Sequence, residues 1–393
     1  MAERILHVLN GLGTGGIEKY VIDLFKHIDP EKYVFDFLVR KKGDNHKDTI
    51  AKLGGKVYTV SPYPEKRRQN YDDVDAFFSL HKEYSVVHIH APSLEYTNIL
   101  KLAKKHNIKT IILHSHCSSR STIKGKVLHY FNRFATKNCP TDRLACSEKA
   151  AKWMFGNKDY FFAFNGIDTG KFYYNSERRE STRMELGLGD DFVWGHVGRL
   201  CKTKNQRYLL QLFKDQIDVN PNSRLIIVGT GSDMQMLQEY ARELGIYEKV
   251  LFLGQRDDVH LLMCAMDVLV FPSLDEGLPL TVVEAQSVGL PCVISDVITQ
   301  QVKITKQVSF LPLNGDRKKW IHTINEIGIS ENREDNSKII KYAGFDISES
   351  SKRIELLYDE KYHLSNTNPP KDDRAYEYID LMLKSLNGDE YDI

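Results

Sequence analysis

The sequence predicts an α/β protein made of two sheet-centred domains. Its 393 residues exceed what one ordinary hydrophobic core holds, and they suffice for two domains of ordinary size. Segments typical of strands and of amphipathic helices alternate from the first residues onward, and a polar stretch separates two such series. We therefore expect residues 1–173 to form one domain, 174–191 a linker, 192–345 a second domain, and 346–393 C-terminal helices that pack back on the first.

The first domain begins with an apolar strand, followed by a glycine-rich loop and a helix. Short apolar runs that favour strands then alternate with segments that are apolar at every third or fourth residue. The predicted strands are Arg4–Leu9, Val34–Val39, Lys56–Val60, Val86–His90, Thr110–His114 and Arg143–Cys146. The predicted helices are Ile17–His27, Asp72–His81, Leu94–His106 and Ile123–Lys137. Together they predict one sheet covered by helices.

The second domain repeats this architecture after the segment Tyr174–Asp191, which is polar, rich in charge and without periodicity. Its predicted strands are Phe192–Val197, Arg224–Val228, Val250–Leu253, Val268–Phe271 and Cys292–Ser295, and its predicted helices are Asn205–Val219, Met234–Leu244 and Pro279–Val288. Continuous apolar runs favour parallel strands, and parallel sheets bind ligands at the carboxyl ends of the strands. We therefore expect a ligand in a cleft between the domains. Two more helices, Glu349–Tyr362 and Arg374–Leu386, are predicted in the tail.

Composition and charge narrow the class of protein. Hydrophobic residues make up 41% and charged residues 27% of the chain, and no apolar run is long enough to span a bilayer. The apolar stretch at the amino end is too short for a signal sequence, and the six cysteines show no paired spacing, so we expect a cytoplasmic protein.

Residues 1–180 hold 30 Lys/Arg against 20 Asp/Glu, a net charge of +10, whereas residues 181–393 hold 24 against 33, a net of −9. A basic first half suits an anionic membrane surface, although ordinary surface variation would also produce it; no nucleic acid partner is expected.

The most informative stretch runs from Asp275 to Glu284, where two glutamates bracket a helix start. Glu276 falls in the predicted loop, whereas Glu284 lies inside the predicted helix. Unpaired N–H groups near Leu280 and Thr281 form a positive helix end that suits a diphosphate. At about 1.5 Å per residue, Glu284 lies about as far along the axis as a ribose lies from a diphosphate. In isolation, Glu276 could instead cap the helix and Glu284 could be a solvated surface residue.

Two cations and two glycine-containing loops follow other strands of the second domain. Arg199 and Lys204 come after the first strand, and together they can neutralise a departing nucleoside diphosphate; taken alone they could be exposed loop cations. Gly229 occupies a strand end that passes through glycines into a helix, which lets a ligand approach the backbone. Arg256 follows another strand end, where backbone groups could contact a base or form a plain tight turn.

The loop Gly11–Gly16 matches the dinucleotide-binding fingerprint after a strand and before a helix. This favours a rival interpretation, an NADP-dependent oxidoreductase. The fingerprint expects an acidic residue after the second strand, but Arg40, Lys41 and Lys42 stand there and would suit only a 2′-phosphate. The preferred interpretation is a flexible loop that admits a phosphate or sugar.

Two His-x-His pairs, His88 with His90 and His114 with His116, end successive strands of the first domain. They suggest a metal, but we expect the two histidines of each pair to point to opposite faces of their strand, so that neither pair chelates as a unit. His116 is instead a candidate for hydrogen bonding to a sugar. The segment Asp73–Asp75 has the spacing of a metal-binding aspartate motif, but its place at the start of a predicted helix favours capping. No metal and no cofactor are expected.

Taken together, these residues resemble the retaining glycosyltransferases of family 4, which have the two-domain GT-B fold. The resemblance covers nearly the whole chain. Its most specific parts are Glu276 through Glu284, Gly198-Arg199 with Lys204, Gly15-Gly16-Ile17-Glu18 and Asn165-Gly166-Ile167-Asp168. It is closest to the bacterial exopolysaccharide and capsule enzymes, a branch that His114-Ser115-His116 resembles. Other GT-B chemistry, that of an epimerase or a phosphorylase, remains an alternative.

The resemblance implies roles for the candidate residues. A nucleoside diphosphate sugar, with uracil as the preferred base, would bind to the second domain without a metal. Arg199 and Lys204 would hold the diphosphate with the backbone of Leu280 and Thr281, Glu276 and Gly277 would hold the donor sugar, and Glu284 would hold the ribose. Gly16 would approach the diphosphate when the cleft closes. His116 would lie on the sugar and acceptor side, and the acceptor would be a glycan, lipid-linked at the inner face of the membrane.

Overall fold

The computed structural model describes residues 2–13, 15–41, 43, 45–116, 122–163, 165–329 and 333–359. They form two compact units, of which the described parts are residues 2–166 with 347–359 and residues 167–346. Each unit has its own parallel sheet and its own hydrophobic core. The predicted α/β class is therefore confirmed.

The first unit is built on a seven-stranded sheet in the order β3-β2-β1-β4-β5-β6-β7, in which all neighbouring strands are parallel. Its strands are β1 (Glu3–Leu9), β2 (Tyr33–Val39), β3 (Val57–Thr59), β4 (Val86–Ala91), β5 (Thr110–Ser115), β6 (Asp142–Ala145) and β7 (Phe161–Phe162). Strands β4 and β5 are buried at every residue. Strands covered on both faces explain the continuous apolar runs of the sequence.

Helices cover this sheet and close its core. They are α1 (Gly16–His27), α2 (Lys47–Lys52), α3 (Arg67–Leu80), α4 (Asn98–Lys105), α5 (Ile123–Ala135) and α6 (Glu148–Phe155), with α14 (Ile347–Tyr358) returning from the end of the described chain. Helix α14 packs on α1, and its Ile347, Ile354, Leu357 and Tyr358 belong to the same core as the first strands. The core of the first unit therefore depends on residues that follow the second unit in sequence.

The second unit has a six-stranded parallel sheet in the order β10-β9-β8-β11-β12-β13. Its strands are β8 (Phe192–Val197), β9 (Ser223–Val228), β10 (Val250–Gly254), β11 (Val268–Phe271), β12 (Cys292–Ser295) and β13 (Val308–Leu311). Its helices are α7 (Ser176–Glu185), α8 (Gln206–Val219), α9 (Met234–Glu243), α10 (Val259–Ala265), α11 (Leu280–Ser287), α12 (Arg317–Ile327) and α13 (Ser337–Ile340). The strand order reverses at β8, which pairs with β9 on one side and β11 on the other. Such a reversal is where α/β sheets bind ligands.

The segment 174–191, predicted as an irregular linker, contains helix α7. Arg179 and Arg183 occupy the buried face of this helix, with nitrogens 2.6 and 3.3 Å from the two carboxylate oxygens of Asp267. Asp267 is fully buried. Because charged residues stand where apolar ones are usual, the sequence shows no hydrophobic periodicity, and the helix was missed.

A smaller difference affects the predicted aspartate motif. Helix α3 begins at Arg67, so Asp73 and Asp75 lie inside it, and the prediction that they cap a helix start is wrong. Asp73 accepts a hydrogen bond from Ser61 N at 2.9 Å, and Asp75 pairs with Lys105.

The predicted helix Arg374–Leu386 lies outside the described residues. Among the described helices, none combines the length and the apolar character that crossing a membrane requires.

Candidate active site

Three loops meet at the carboxyl edge of the second sheet. Backbone hydrogen bonds join the loops after β8 and β9, from Gly198 N to Val228 O and from Leu200 N to Thr230 O, both at 2.9 Å. Gly229, at a φ of 132°, lies so close that an added Cβ would stand 2.1 Å from Gly198 O. Only glycine fits this approach, because the conformation and the space both exclude a side chain.

Lys204 and Glu276 form an ion pair at this edge, with 2.6 Å between Nζ and Oε1. Both side chains are largely buried, at 18% and 14% exposure. The Lys204 ammonium also lies 4.6 Å from the centre of the Phe271 ring, which favours its charge through a cation–π contact. The predicted cation and the predicted carboxylate are therefore direct partners.

Backbone contacts bring these two residues together, although they are far apart in sequence. Lys204 ends a short 3₁₀ turn after β8, and Glu276 lies in the loop after the neighbouring strand β11. Leu274 N donates to Thr203 O at 2.8 Å, and the Asn205 side-chain amide donates to Pro272 O at 3.0 Å. The two loops are thus fastened to each other by the residues on either side of Lys204.

His196 supports this cluster from within the sheet and was not predicted. Its Nδ1 lies 3.0 Å from Val270 O and its Nε2 3.2 Å from the Gln206 amide, which also donates to Arg199 O at 2.9 Å. Complete burial lowers the pKa of His196 to about 4, so the ring is neutral near pH 7. A histidine inside the apolar run of β8 was the only sequence signal for it.

Helix α11 begins directly after the Glu276 loop. Leu280 is its first residue and Pro279 its cap, one residue later than predicted. The first N–H groups of a helix have no partner within it, so those of Leu280 and Thr281 suit an anion. Glu284 is only 4% exposed, which rules out the alternative that it is a solvated surface residue.

The predicted cations Arg199 and Arg256 differ in whether they already have an acidic partner among the described residues. Arg199 is exposed beside the fastened loops, available to a ligand. Arg256 holds the Asp258 carboxylate with two hydrogen bonds, at 2.8 and 2.5 Å. The structure therefore brings Arg199, Lys204, Gly229, Glu276, Gly277 and the start of α11 to one sheet edge, and it shows Arg256 already engaged by a carboxylate.

In the first unit, the loop after β1 ends at Gly15, and Gly16 is the first residue of α1. A Cβ added to Gly16 would meet no atom within 4 Å. Arg40, which the NADP interpretation required for a 2′-phosphate, lies 4.3 Å from the centre of the Tyr96 ring and donates to Tyr63 O at 3.3 Å. Thus Arg40, one of the three cations of the rival interpretation, is held by two tyrosines.

The two His-x-His pairs form one buried cluster with His7 of β1. Residues two apart in a strand share a face, so the prediction that each pair points to opposite faces was wrong. The rings of His88 and His90 stack with 4.3 Å between centroids, and those of His114 and His116 with 4.0 Å. Two triads, one of His7, His88 and His90 and one of His90, His114 and His116, have nitrogen atoms within 4.8 Å of one another. The absence of a metal role stays a prediction.

Within this cluster the side chains are linked in one continuous hydrogen-bonded series, which we call the histidine chain. Its order is His114, His88, Tyr358, His7, His90 and His116, with successive distances of 3.2, 2.8, 3.3, 3.0 and 2.9 Å. Tyr358 comes from α14 and was not predicted, because nothing in the local sequence links it to a strand 270 residues away.

Burial keeps the histidine chain uncharged. All five histidines are buried, which lowers the pKa of His7 and of His116 to about 3 and the pKa values of the other three well below the usual range. A neutral imidazole has one donor and one acceptor nitrogen. His116 therefore ends a series in which each ring's tautomer is set by its neighbour.

The amino-acid sequence is similar to a known family of proteins and to individual members of it. Residues 178–344 match the family model described as glycosyl transferases group 1. EpsF of Bacillus subtilis (strain 168), named as a glycosyltransferase, is 32% identical over 335 residues, which span 82% of this chain and 87% of that protein. An Escherichia coli UDP-Gal:alpha-D-GlcNAc-diphosphoundecaprenol alpha-1,3-galactosyltransferase is 32% identical over 246 residues, 57% of this chain and 62% of that enzyme.

A solved structure shares the fold. The crystal structure of Anabaena HepE in complex with UDP superimposes with a TM-score of 0.72 at 18% identity, covering 92% of this chain and all of that one. At this identity the likeness concerns the fold alone.

Proposed function

Because the chain belongs to the group 1 glycosyltransferases, which use nucleotide sugars, we propose that it transfers a sugar from a UDP-sugar to a lipid-linked glycan with retention of configuration. The donor base is supported by the UDP named in the relative and in the HepE complex. The acceptor class is supported by the diphosphoundecaprenol substrate in the relative's name. We place the reaction in bacterial exopolysaccharide or capsule synthesis, on the cytoplasmic face of the membrane, as the motif resemblance implies.

The observation that carries this proposal is the Lys204–Glu276 pair beside the start of α11. The pair lies at the reversal point of the sheet, and it combines a cation for a phosphate with a carboxylate for sugar hydroxyls. Because each charge already has a partner, the empty site holds neither an unpaired Lys204 ammonium nor an unpaired Glu276 carboxylate. A bound diphosphate would replace one anionic partner of Lys204 by another.

The chemistry follows from these groups. The bond between the sugar's anomeric carbon and the diphosphate oxygen breaks, and the acceptor oxygen bonds to that carbon from the same face. The acceptor's proton passes to the departing phosphate oxygen, so the products are UDP and the glycoside. Arg199, Lys204 and the N–H groups of Leu280 and Thr281 stabilise the negative charge on UDP without a metal. No covalent intermediate is required.

The remaining residues orient the donor and the acceptor. Glu284 accepts hydrogen bonds from the ribose, and Glu276 with Gly277 holds the sugar. Gly229 and Arg256 lie on the nucleotide side, Gly16 contacts the diphosphate, and His116 hydrogen bonds to the sugar near the acceptor. We treat Glu276 as a binding carboxylate and not as half of an acid–base pair, since its nearest charged partner is Lys204.

Substitution of the ion pair tests the proposal. We expect Lys204→Ala and Glu276→Ala each to lower transfer at least about 10²-fold, the scale for losing one preorganised charged contact. Lys202→Ala, two residues earlier and exposed, is the matched control and should retain activity. Near-normal turnover in either site variant would refute the assignment.

A panel of UDP-sugars and GDP-sugars identifies the donor, because release of UDP or GDP by slow hydrolysis needs no acceptor. With the donor known, NMR of the product gives its anomeric configuration, and an inverted product would exclude the retaining mechanism. Unchanged rates in the presence of EDTA are expected for transfer without a metal.

A further inference from the structure

Helix α5 of the first unit turns its apolar side outward, whereas most surface helices turn that side toward the core. Its outward side carries Ile123, Val127, Tyr130, Phe131 and Phe134, with exposures between 50% and 83%. These are five of the fifteen large apolar side chains that are exposed in the described part of the chain. At 3.6 residues per turn they fall on one stripe along the helix. We call this stripe the α5 face.

The inward side of α5 is polar, which shows that the exposure of the α5 face is built into the fold. His129 accepts a hydrogen bond from Leu94 N at 3.0 Å and lies 2.9 Å from Trp153 O, and Asn132 donates to Leu94 O at 2.7 Å. The rings of His129 and Trp153 stack with 3.7 Å between centroids. These contacts fix the rotation of the helix, so the apolar residues cannot turn inward.

Cations border the α5 face on both sides. Lys124 flanks one side of the stripe, and Lys126 and Arg133 flank the other. Lys137, just beyond the end of the helix, lies with its Nζ 4.6 Å from the centre of the Phe134 ring, and residues 123–137 contain no acidic residue. Lys104 of α4 donates to Asn138 O at 2.8 Å, which brings a further cation to the end of the helix. Glu95 lies on the inward side of α5, where a Cβ added to Gly125 would stand 2.8 Å from its Oε1.

We propose that the α5 face docks on an anionic lipid bilayer. An apolar, aromatic-rich stripe with basic flanks is the pattern of helices that lie in a membrane interface, where the apolar side chains enter the acyl boundary and the cations meet lipid phosphates. A second copy of this chain fits less well, because an isologous contact would bring the same four cations together. This inference rests on the proposed lipid-linked acceptor, because the lipid would hold the acceptor glycan at the bilayer surface.

Vesicle flotation of the full chain tests the docking without donor or acceptor. Binding to phosphatidylglycerol-containing vesicles, and not to pure phosphatidylcholine vesicles, is expected, and it should weaken as salt rises. Phe131→Ser with Phe134→Ser should lower the partition coefficient at least about 10-fold, since each loses the transfer of an apolar side chain. Lys124→Gln with Lys126→Gln should also lower it about 10-fold.

The matched control is Leu80→Ser, which removes a 79% exposed apolar residue at the end of α3 and should leave the partition coefficient unchanged. UDP-sugar hydrolysis, measured without vesicles, should be normal in all these variants, which separates loss of docking from loss of fold. Loss of vesicle binding with hydrolysis intact is thus the expected result, whereas absence of hydrolysis in the unsubstituted chain would refute the proposed function and leave the docking result standing.

Three outcomes would overturn the docking. The first is no binding of the full chain to anionic vesicles. The second is binding that appears only after removal of residues 360–393, which would make that acidic and apolar tail the occupant of the face. The third is a concentration-dependent dimer, seen by analytical ultracentrifugation, that the Phe131→Ser, Phe134→Ser variant abolishes while vesicle binding persists.

Discussion

At Gly16 an added methyl group would meet open space, in contrast to Gly229, where it would collide with a neighbouring loop. Gly16 begins α1, so alanine there suits the helix at least as well as glycine does. The absence of a side chain at Gly16 is therefore not needed for packing. We propose that it is needed for the approach of the donor diphosphate.

The substitution Gly16→Ala separates these two requirements. We expect the free energy of unfolding, measured in urea, to stay the same or to rise by up to about 1 kcal/mol, because alanine favours the helix. We expect the KM for the donor to rise about 10-fold, since a methyl group would displace the backbone from the phosphate.

Gly13→Ala, earlier in the same glycine-rich loop, tests whether the effect is confined to the start of α1, because a Cβ at Gly13 also meets nothing within 4 Å. Its KM should be that of the unsubstituted chain. An unaltered KM in Gly16→Ala would remove Gly16 from the donor site.

Residue types were predictable where chemistry requires them. The sequence was enough to choose Arg199, Lys204 and Glu276 and to predict a helix start one residue before the observed Leu280, because the proposed diphosphate-sugar donor would need cations, a carboxylate and free N–H groups. The ion pair between Lys204 and Glu276 could not be predicted, because it depends on hydrogen bonds between two loops about 70 residues apart. His196 was likewise missed, since its partners belong to β11 and α8.

At the scale of the element, α7 shows how buried charge hides a helix. Its inward residues Arg179 and Arg183 share the buried carboxylate of Asp267 and also donate to backbone carbonyls such as Ala265 O, at 3.3 and 2.9 Å. Asp267 accepts a further hydrogen bond from Val193 N at 2.7 Å. The network joins α7 to β8 and to the start of β11. An apolar-periodicity argument does not detect such a helix.

Removal of one partner of this network should destabilise the second unit strongly. Arg179→Met leaves the Asp267 carboxylate buried with less compensation, so we expect a loss of about 3 to 5 kcal/mol in the free energy of unfolding. The exposed neighbour Glu180→Ala serves as the control and should change it by less than about 0.5 kcal/mol. Equal urea midpoints for the two variants would show that the network contributes little.

At the scale of the whole molecule, the two parallel sheets were the most predictable feature. The apolar runs of β1, β4, β8 and β11 carry a strong signal because both faces of these strands are buried. The short edge strands β7 and β13, which are only partly buried, have a weak signal and were missed. The membership of α14 in the first unit follows from contacts of its apolar face, which local patterns do not specify.

The histidine chain should make the stability of the molecule depend on pH. A histidine whose pKa is lowered in the folded state stays neutral there and takes up a proton on unfolding. Its stabilising contribution is present above the unfolded pKa of about 6.5 and is lost as pH falls from there toward about 3, the folded value for His7 and His116. At pH 5.5 each such group should cost on the order of 1 kcal/mol.

Hydrogen exchange followed by mass spectrometry can resolve this loss within the molecule. Between pH 7.5 and pH 5.5, after correction for intrinsic exchange, protection should fall more in peptides of β4 and β5 than in peptides of β8 and β11. The first unit holds five such histidines, whereas in the second His196 and His260 have pKa values lowered to about 4. Equal losses of protection would contradict the buried, neutral state of the histidine chain.

The return of α14 to the first unit also has a consequence for synthesis of the protein on the ribosome. The first unit cannot complete its core when residue 166 emerges, because Ile347, Ile354, Leu357 and Tyr358 belong to that core and are made only after the whole second unit. At translation rates of about 5–20 residues per second, this interval is roughly 10 to 40 s. During that time the part of α1 that packs on α14 is uncovered, and the tyrosine that joins His7 to His88 is missing. The first half of the protein is therefore the part that most needs protection from aggregation before the chain is finished.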